Sequence, residues 1–314
     1  METIYLSRQA EMPVPSVATI GFFDGVHLGH RYIIDKVVTK ARREGLASMV
    51  VTFEQHPRQV LHSDWCPQLL STLDEKVELL SQTGVDRLVI LRFDEAMAVL
   101  SAYDFMHDIL QQRLGVKVLI TGYDNRFGHN RAEGFDDYVR YGREMGMDVV
   151  QGDPIEVGCV RVSSSKIRKL IAEGRVEQAA ECLGYPYALA GQVVCGEHVG
   201  TEMGFPTANL QLTEEGKLIP APGVYAVKVK LEKSMDLYHG MMNIGSRPTF
   251  GGHNQTLETH IFHFEGDIYG QQLKVWFVGR LRSEIRFDSR EALMIQLASD
   301  AREAERLLNE TTGI

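Results

Sequence analysis

The hydrophobic pattern of the chain changes near residue 185, and this change restricts the fold more than any other feature of the sequence. Before the change, helical patterns alternate with β-rich apolar runs at residues 46–53, 87–91 and 116–121. Alternating strands and helices at this spacing predict a doubly wound parallel sheet with crossover helices. We therefore expect an α/β domain over residues 1–185.

Beyond the change, apolar residues recur at every second position. Residues 223–231 and 257–264 alternate in this way, and residues 274–282 form another β-rich run. Strands of this kind, separated by glycine-rich turns, predict an antiparallel barrel or sandwich. Residues 288–309 follow the 3.6-residue period of one amphipathic helix. We expect a second domain over residues 186–314, an antiparallel β-barrel with a C-terminal helix.

The composition is that of an ordinary globular protein, with 44% hydrophobic and 24% charged residues. The 33 Lys and Arg residues against 42 Asp and Glu give a net charge of −9, which argues against a nucleic-acid or anionic-membrane partner. No stretch approaches the ~20 apolar residues that span a bilayer, and the first residues carry no apolar signal core. The four cysteines are scattered without a C-x-x-C pair, so we expect reduced thiols and a cytoplasmic protein.

The segment G-F-F-D-G-V-H-L-G-H, residues 21–30, follows a predicted strand and opens a predicted helix. A helix N-terminus attracts phosphate through its unpaired N–H groups and its dipole. His27 and His30 are three residues apart and share a face, while Gly29 lets a phosphate approach the backbone. A capped helix with two surface histidines is the alternative. The preceding strand, the glycines and Asp24 favour a site where both imidazoles stabilise displacement at phosphorus.

A second candidate phosphate site opens another predicted helix. Three hydroxyls at residues 163–165 can cap the helix and bind a phosphate, and Lys166 and Arg168 add positive charge. A serine-rich cap with solvated cations explains this segment equally well.

Two polar segments follow predicted strands, at the position where α/β proteins bind ligands. One is T-F-E-Q-H-P-R at residues 52–58, and the other is G-Y-D-N-R-F-G at residues 122–128. Asp124 and Arg126 are candidates to contact a base or a flavin ring. The alternatives are a loop histidine at His56 and a turn built from Gly, Asp and Asn.

In the second half, residues 196–209 carry three glycines ahead of the sequence P-T-A-N. Glycines let a backbone wrap closely around phosphates, and Thr207 and Asn209 supply neutral oxygens that suit Mg²⁺. The segment is not a Walker P-loop, because G-x-x-x-x-G-K-[ST] is absent. A glycine-rich turn without a ligand is the stronger interpretation of these glycines by themselves.

Glu258 is the candidate general base of the second half. It lies on the predicted strand 257–264 and shares a face with His260, Phe262 and Phe264. A carboxylate beside aromatic rings is partly desolvated, which suits proton abstraction. An exposed strand carboxylate is the alternative that spacing alone favours.

The motifs resemble those of known families. The pair H-x-G-H and S-S-[ST]-x-I-R resembles the nucleotidyltransferase superfamily. The flanking G-F-F-D-G-V-H-L-G-H, F-x-x-H-P and R-F-G stretches resemble the bacterial bifunctional riboflavin kinase/FMN adenylyltransferase (FAD synthetase) family. The sequences P-T-A-N, N-I-G-S-R-P-T-F, L-E-T-H and D-I-Y-G resemble its riboflavin kinase module and cover most of residues 186–300.

For the first domain, the resemblance implies an FMN adenylyltransferase of the nucleotidyltransferase fold. His27 and His30 would then bind the ATP phosphates and stabilise the adenylyl transfer. The other residues that it implies at the ATP phosphates and pyrophosphate are Gly21, Phe23, Asp24, Gly29, Ser164, Ser165 and Arg168. The residues that it implies at or near the flavin are His56, Pro57, Asp124 and Arg126.

For the second domain, the resemblance implies a riboflavin kinase. Thr207 and Asn209 would bind Mg²⁺ and ATP, and Glu258 would deprotonate the ribityl 5′-hydroxyl for attack on the γ-phosphorus. The remaining residues implied there are Gly196 and Gly204 at the phosphates and Arg247 at the flavin. The implied products are FMN and then FAD, with ATP as co-substrate of both reactions.

Three segments depart from the family pattern. Asn125 stands where the family often has Phe, Ser165 where it often has Thr, and Thr201-Glu202 where a basic residue is common. Because Glu202 would repel ATP phosphates, one alternative is an adenylyltransferase with a kinase-inactive, flavin-binding regulatory domain. The other is a non-enzymatic flavin carrier, which leaves the two histidines unexplained.

Overall fold

A computed structural model describes residues 1–6, 13–56, 67–123, 125–129, 132–153, 156–157, 160–196, 204–214, 216–249 and 252–311. The chain divides into two units, Met1–Ser164 and Ser165–Ile314. Within the described ranges, no helix is long and apolar enough to cross a membrane.

The first unit is built on a six-stranded sheet. Its strands are β1 (Glu2–Leu6), β2 (Ser16–Ile20), β3 (Ala47–Phe53), β4 (Arg87–Leu91), β5 (Val116–Thr121) and β6 (Asp148–Gln151). The spatial order is β1-β4-β3-β2-β5-β6, and every pairing is parallel, which confirms the predicted sheet. The chain runs outward from β2 through β3 to β4 and returns on the other side of β2 as β5. This reversal creates a crevice at the carboxyl ends of β2 and β5, where such sheets bind ligands.

Helices connect these strands and cover the sheet. They are α1 (Leu28–Glu44), α2 (Leu73–Ser81), α3 (Glu95–Ala98), α4 (Ala102–Asp104), a π-helical continuation (Phe105–Arg113) and α5 (Phe135–Met145). A short hairpin of β7 (Glu156–Val157) and β8 (Val160–Arg161) follows β6. All five residues of β2 are buried because helices pack on both faces of the sheet. Val17 and Val118, for example, pack against Val37 and Ala41 of α1.

The limits of α1 follow from the chemistry of its two ends. His27 is its N-cap and accepts a hydrogen bond from the backbone N–H of His30. At the other end Gly45 adopts a left-handed conformation with φ of 66°, and its N–H bonds back to the carbonyls of Ala41 and Arg42. A left-handed glycine thus closes the helix.

The second unit is a closed antiparallel barrel with helices around it. The barrel strands are β9 (Ala188–Val194), β10 (Ala208–Leu212), β11 (Gly223–Leu231), β12 (Leu237–Thr249), β13 (Gly252–Ile261) and β14 (Gln272–Arg282). Their order around the barrel is β10-β13-β12-β11-β14-β9, which confirms the predicted barrel. The helices are α6 (Ser164–Ala172), α7 (Val176–Leu183) and the predicted C-terminal helix α8 (Arg290–Glu310).

Helix α8 covers one outer face of the barrel. Val224 and Ala226 of β11 and Met241 of β12 pack against Ala304 and Leu308 of the helix. Tyr225, Val227 and Val229, the alternate residues of β11, are fully buried on its opposite face. Strand β11 is thus buried on both faces. The Nζ of Lys228 on this strand donates a hydrogen bond to the carbonyl of Thr311 at 3.2 Å.

A buried ion pair and an exposed one on α8 give a matched test of this packing. The Arg282 guanidinium of β14 bonds the buried Asp300 carboxylate, with Nη2–Oδ2 at 2.8 Å. We expect Asp300→Ala to lower the unfolding free energy of this unit by roughly 3–5 kcal/mol, because it leaves a half-desolvated guanidinium unpaired. Urea denaturation measures the change. The control Arg306→Ala removes exposed ion pairs to Glu303 and Glu310, and we expect it to leave the denaturation curve almost unchanged. Equal decreases in unfolding free energy for the two variants would contradict the packing of α8 described here.

Candidate active sites

The loop after β2 is fastened to β3 and to both layers of the core. The N–H of Gly21 donates to the carbonyl of Val51 at 3.1 Å, and Thr52 Oγ1 donates to the carbonyl of Phe22 at 3.2 Å. Phe22 packs against the core on one face of the sheet, whereas Phe23 belongs to the core on the other face. The two consecutive phenylalanines therefore fix the direction in which the chain leaves the sheet.

This loop has an unusual backbone. Phe23, Gly25 and Val26 adopt positive φ angles of 53°, 75° and 34°. Among the described residues, only three non-glycine residues have positive φ, and two of them are in this loop. Such conformations cost about 1–3 kcal/mol for a non-glycine residue and persist where surrounding contacts enforce them, typically at functional sites.

The Asp24 carboxylate supplies the enforcing contacts. It is buried and accepts hydrogen bonds from the backbone N–H groups of Leu70, at 2.9 and 3.1 Å, and Ser71, at 3.0 Å. The Ser71 hydroxyl in turn accepts the N–H of Gly25 at 2.9 Å. The predicted phosphate-site residue Asp24 thus directs its carboxylate into the protein, where it holds the loop in shape.

The two histidines of the H-x-G-H motif stack at the N-terminus of α1. Their ring centroids are 3.6 Å apart and the planes differ by 15°. Nδ1 of His27 accepts the N–H of His30 at 3.3 Å, so the neutral His27 ring carries its proton on Nε2. A Cβ on Gly29 would lie 3.2 Å from His27 Cε1 and Nδ1, so the glycine leaves the space that the stacked ring occupies. The motif presents imidazole donors beside the positive end of a helix dipole.

The serine-rich segment reaches the same loop. The hydroxyl of Ser164, the first residue of α6, donates to the backbone carbonyl of Asp24 at 3.2 Å. The carbonyl of Val162 is 3.8 Å from the position of a Cβ on Gly29. Residues of two motifs about 140 positions apart in sequence are therefore in contact beyond the carboxyl end of β2. Ser165 and Arg168 follow on α6 in the second unit.

Of the four residues predicted near the flavin in this unit, His56 is the one that the structure places against this loop. His56 contacts the ring of Phe22 edge-on, with centroids 4.7 Å apart. Arg126 has an exposed side chain in the loop after β5, while Pro57 and Asp124 lie outside the described residues. Asn125, the departure from the family pattern, donates from its side chain to the carbonyl of Ile20. This hydrogen bond ties the loop after β5 to the last residue of β2.

A cleft opens beyond the carboxyl ends of β3 and β4. Its volume is about 450 Å³, and its lining is charged and polar apart from one phenylalanine. The lining residues are Glu54, Gln55, Arg92, Phe93, Asp94 and Glu95. Gln55 immediately precedes His56, the residue predicted near the flavin.

Sequence reasoning missed Lys76, which lies under the loop. This lysine of α2 is 1% exposed, and its Nζ is 3.2 Å from the carbonyl oxygen of Phe53 and 3.9 Å from the ring centroid of Phe22. Burial lowers the pKa of Lys76 to about 8, an effect that the negative charge of Asp24 opposes. A signal was present, because Lys76 occupies the apolar stripe of α2 with Leu73 and Leu80.

In the barrel, the strand register places two predicted kinase residues, Asn209 and Glu258, side by side. Asn209 of β10 is directly opposite Glu258 of β13, and Asn243 of β12 is opposite Glu258 on its other side. Directly opposed side chains have Cβ atoms about 4.5–5.5 Å apart. Glu258 therefore lies between two neutral amides on one face of the barrel, and Asn243 is a neighbour that sequence reasoning did not identify.

The glycines before β10 have two different roles. A Cβ on Gly196 would lie 1.9 Å from Nδ2 of Asn209, so only glycine leaves room for that amide. Gly204 has a φ of 79°, a left-handed conformation that favours glycine. The residues between them, 197–203, which include Thr201 and Glu202, lie outside the described residues.

The strand that carries Glu258 is shorter than its sequence pattern indicates. Strand β13 ends at Ile261, and His263 follows with a positive φ of 55° that turns the chain away. Of the three aromatic residues expected beside Glu258, only His260 is therefore on the strand. Burial lowers the pKa of His260, whose Nδ1 is 2.8 Å from the carbonyl oxygen of Pro206. The side chain of Arg247 lies outside the described part of the structure.

A cavity of about 480 Å³ adjoins Thr207, the residue before β10. Its walls include Val193, Pro206 and Ile261, which are apolar, and the ring of Tyr269. Thr259 also lines it, and its buried Oγ1 has no hydrogen-bond partner among the described residues. Glu265 and Asp267 also lie on its wall. A cavity with apolar walls and a few polar groups suits a heterocyclic ligand.

The tautomer of His27 can be tested directly. Because Nδ1 accepts a backbone N–H, we expect the ¹⁵N spectrum of the neutral ring to show a protonated Nε2 and an unprotonated Nδ1. Gly29→Ala should perturb this signal, whereas Gly134→Ala, where a Cβ meets nothing within 4 Å, should not. A proton on Nδ1 would contradict the described geometry.

The fold and the two sites define a class of two-domain chain, with a nucleotidyltransferase-like α/β domain before a β-barrel. The FAD synthetase family matches residues 9–166 and the riboflavin kinase family matches residues 183–308. A bifunctional riboflavin kinase/FMN adenylyltransferase of Escherichia coli (strain K12) is 39% identical, over 90% of each chain. One from Haemophilus influenzae is 36% identical, over 93% of this chain and 94% of the relative. The chain belongs to the bifunctional riboflavin kinase/FMN adenylyltransferase family.

A solved structure shares the fold. A crystal structure described as a macrolide-efflux protein from Streptococcus pneumoniae aligns with a TM-score of 0.88 and 31% sequence identity. The alignment covers 97% of this chain and 99% of that one. The same succession of a parallel sheet and a barrel therefore occurs in a solved relative.

Proposed function

We propose that the chain converts riboflavin and ATP to FMN and ADP in residues 186–314, and FMN and a second ATP to FAD and pyrophosphate in residues 1–185. The observation that carries this proposal is that each half of the chain holds its own reactive group. The first has the stacked pair His27 and His30 at a helix N-terminus. The second has Glu258 between two amides.

In the adenylyl transfer, a phosphate oxygen of FMN attacks the α-phosphorus of ATP, and pyrophosphate leaves. The nucleophile already carries negative charge at neutral pH, so the reaction needs orientation and charge stabilisation rather than a base. His27 donates from Nε2 to a phosphate oxygen, and His30 acts from the adjacent stacked position. The dipole of α1 stabilises the same developing charge.

The other predicted residues complete this site. Ser164, which already contacts the loop at Asp24, begins the helix that we assign to the pyrophosphate, with Ser165 and Arg168 following within its first turn and a half. The flavin contacts in this proposal are His56, Pro57, Asp124 and Arg126. Gly21 and Phe23 shape the loop that faces the phosphates.

In the kinase reaction, the nucleophile is a neutral hydroxyl, which requires a base. Glu258 accepts the proton of the ribityl 5′-hydroxyl as that oxygen attacks the γ-phosphorus. The flanking Asn209 and Asn243 bring no second negative charge against the carboxylate or the incoming phosphates. We assign the nucleoside of ATP to the cavity beside Thr207, where Thr259 offers its hydroxyl, and we assign Arg247 to the flavin.

The residues fit a magnesium ion that is shared with ATP. Thr207 and Asn209 supply hard neutral oxygens, and Gly196 leaves the space that the Asn209 amide uses. Within the described residues, no group of three or more His, Cys, Asp or Glu side chains could hold a metal. Water and substrate phosphates would therefore supply the other ligands, and the ion would neutralise the triphosphate. We place this small-molecule chemistry in the cytoplasm on the sequence evidence above.

A matched pair of substitutions tests the assignment of the two reactions. We expect His30→Ala to lower the rate of FAD formation from FMN by about 10²–10³ by removing a charge-stabilising donor. Formation of FMN from riboflavin should remain at the unsubstituted rate. Glu258→Gln should give the converse result, with riboflavin phosphorylation reduced about 10²–10⁴. Chromatography of the flavin products measures both rates.

Undiminished FAD synthesis by the His30→Ala protein would refute the adenylyl-transfer site. If the unsubstituted protein makes FAD from FMN but no FMN from riboflavin, the barrel is a kinase-inactive binding domain instead. Flavin binding without turnover of ATP would favour a carrier.

The proposed role of Asn209 as a magnesium ligand can be tested against Asn243, the amide on the other side of Glu258. We expect Asn209→Ala to raise the Mg²⁺ concentration for half-maximal riboflavin phosphorylation, because it removes an oxygen ligand. Asn243→Ala removes the other flanking amide and should leave that concentration unchanged. Titration of Mg²⁺ at fixed ATP gives both values. Equal changes in the two variants would contradict the assigned ligand set.

A further inference from the structure

Lys76 is charged, buried and unnecessary for the reactions as described above. Its side chain is 1% exposed, and burial brings its pKa down to about 8. Because the fold disfavours its charged form, stability rises with pH between that value and 10.5. A residue that costs the fold stability at neutral pH, and that lies beneath a ligand loop, is a candidate for a role in ligand binding.

The contacts of the ammonium show which part of the site it can affect. Nζ lies over the face of Phe22 at 3.9 Å from the ring centroid, and it donates to the carbonyl of Phe53 at the end of β3. The edge of Phe22 meets His56, centroids 4.7 Å apart. A row therefore runs from Lys76 through Phe22 to His56, the residue assigned to the flavin.

The other charged groups around Lys76 do not replace it. Asp24, from the loop after β2, acts on it through space but is held by hydrogen bonds from Leu70 and Ser71. On α2 itself, the Glu75 carboxylate accepts the N–H of Thr72. On the side of β3, the Lys76 ammonium contacts the backbone carbonyl of Phe53. Beyond the ring of Phe22, the next titratable group is His56.

We propose that Lys76 is a positioning residue for FMN, whose buried ammonium fixes the ring of Phe22 and through it His56. The proposal rests on the FMN adenylyltransferase function above. Asp24 keeps its backbone hydrogen bonds without the lysine, so the histidine pair that binds ATP stays in place. Lys76 thus controls the binding of FMN and leaves that of ATP unchanged.

The first experiment compares Lys76→Met with Lys36→Met. Methionine keeps the unbranched stem and removes the charge, while Lys36 is a lysine of α1 that pairs with an exposed Asp153. If FMN binding depends on the position of the Phe22 ring, loss of its desolvated cation–π contact with Lys76 lowers the affinity for FMN about tenfold. We expect Lys76→Met to raise the KM for FMN on the order of tenfold, with the KM for ATP and the riboflavin kinase rate retained. The thermal midpoint should stay the same or rise, because the substitution removes a buried charge. Lys36→Met should change none of them.

The second experiment uses pH. In the unsubstituted protein the ammonium is present below pH 8 and is lost as the pH rises through its pKa of about 8. The KM for FMN should therefore approach that of Lys76→Met above this pH. Titration of the substrates affects the unsubstituted protein and Lys76→Met equally, so it cancels in the ratio of their KM values for FMN. Phe22→Leu should raise the KM for FMN likewise, and adding Lys76→Met to it should have little further effect.

The dissociation constant of FMN, from quenching of flavin fluorescence, is measured in the same proteins. If the unsubstituted protein makes no FAD, the proposed function fails, and the fluorescence titration still tests whether Lys76→Met weakens FMN binding. An unchanged KM and dissociation constant for FMN would overturn the role of Lys76. A parallel loss of thermal stability, ATP binding and kinase rate would also overturn it, because it would identify a residue of the core.

Discussion

The loop that carries the proposed adenylyl-transfer site depends on the buried carboxylate of Asp24. Hydrogen bonds to a charged group contribute about 1.5–3 kcal/mol each, and a non-glycine residue of positive φ costs about 1–3 kcal/mol. The bonds from Leu70 and Ser71 can therefore offset the strain at Phe23 and Val26. The strained loop ends at the N-cap of α1, so the same carboxylate sets where the imidazoles lie. A carboxylate next to phosphate-binding groups is compatible with this function because it points into the protein.

The two halves of the chain meet different chemical demands with different groups. In the proposed mechanism the phosphate monoester is already an anion at neutral pH, and the imidazoles and the dipole of α1 would stabilise it. The ribityl hydroxyl is neutral, and the proposed mechanism assigns Glu258 as the base that it requires. The neighbours of each group agree with this division. His27 holds its proton on Nε2 because its Nδ1 is an acceptor, and Glu258 has amides rather than carboxylates across the strands.

Much of the fold and part of each site could be predicted from the sequence, because local periodicity and capping encode them. The parallel sheet, the barrel and the C-terminal helix were expected. The pairing of Asn209 with Glu258 depends on strand register, and no local pattern specifies which residues of distant strands face each other. The end of β13 was missed because alternation continues past the left-handed His263. Lys76 lies on the apolar stripe of α2, but a lysine there commonly extends its ammonium to solvent, and tertiary packing alone shows that this one is buried.

The central claim is that one chain contains two complete and separate reaction sites. Its most direct test is a time course of the purified protein with riboflavin, ATP and Mg²⁺, with FMN and FAD resolved by chromatography, beside an incubation that starts from FMN. The account predicts that FMN appears from riboflavin, that FAD follows, and that FAD forms at once from FMN. FAD from FMN without any product from riboflavin would contradict the claim for the barrel. Absence of FAD in both incubations would contradict it for the histidine pair.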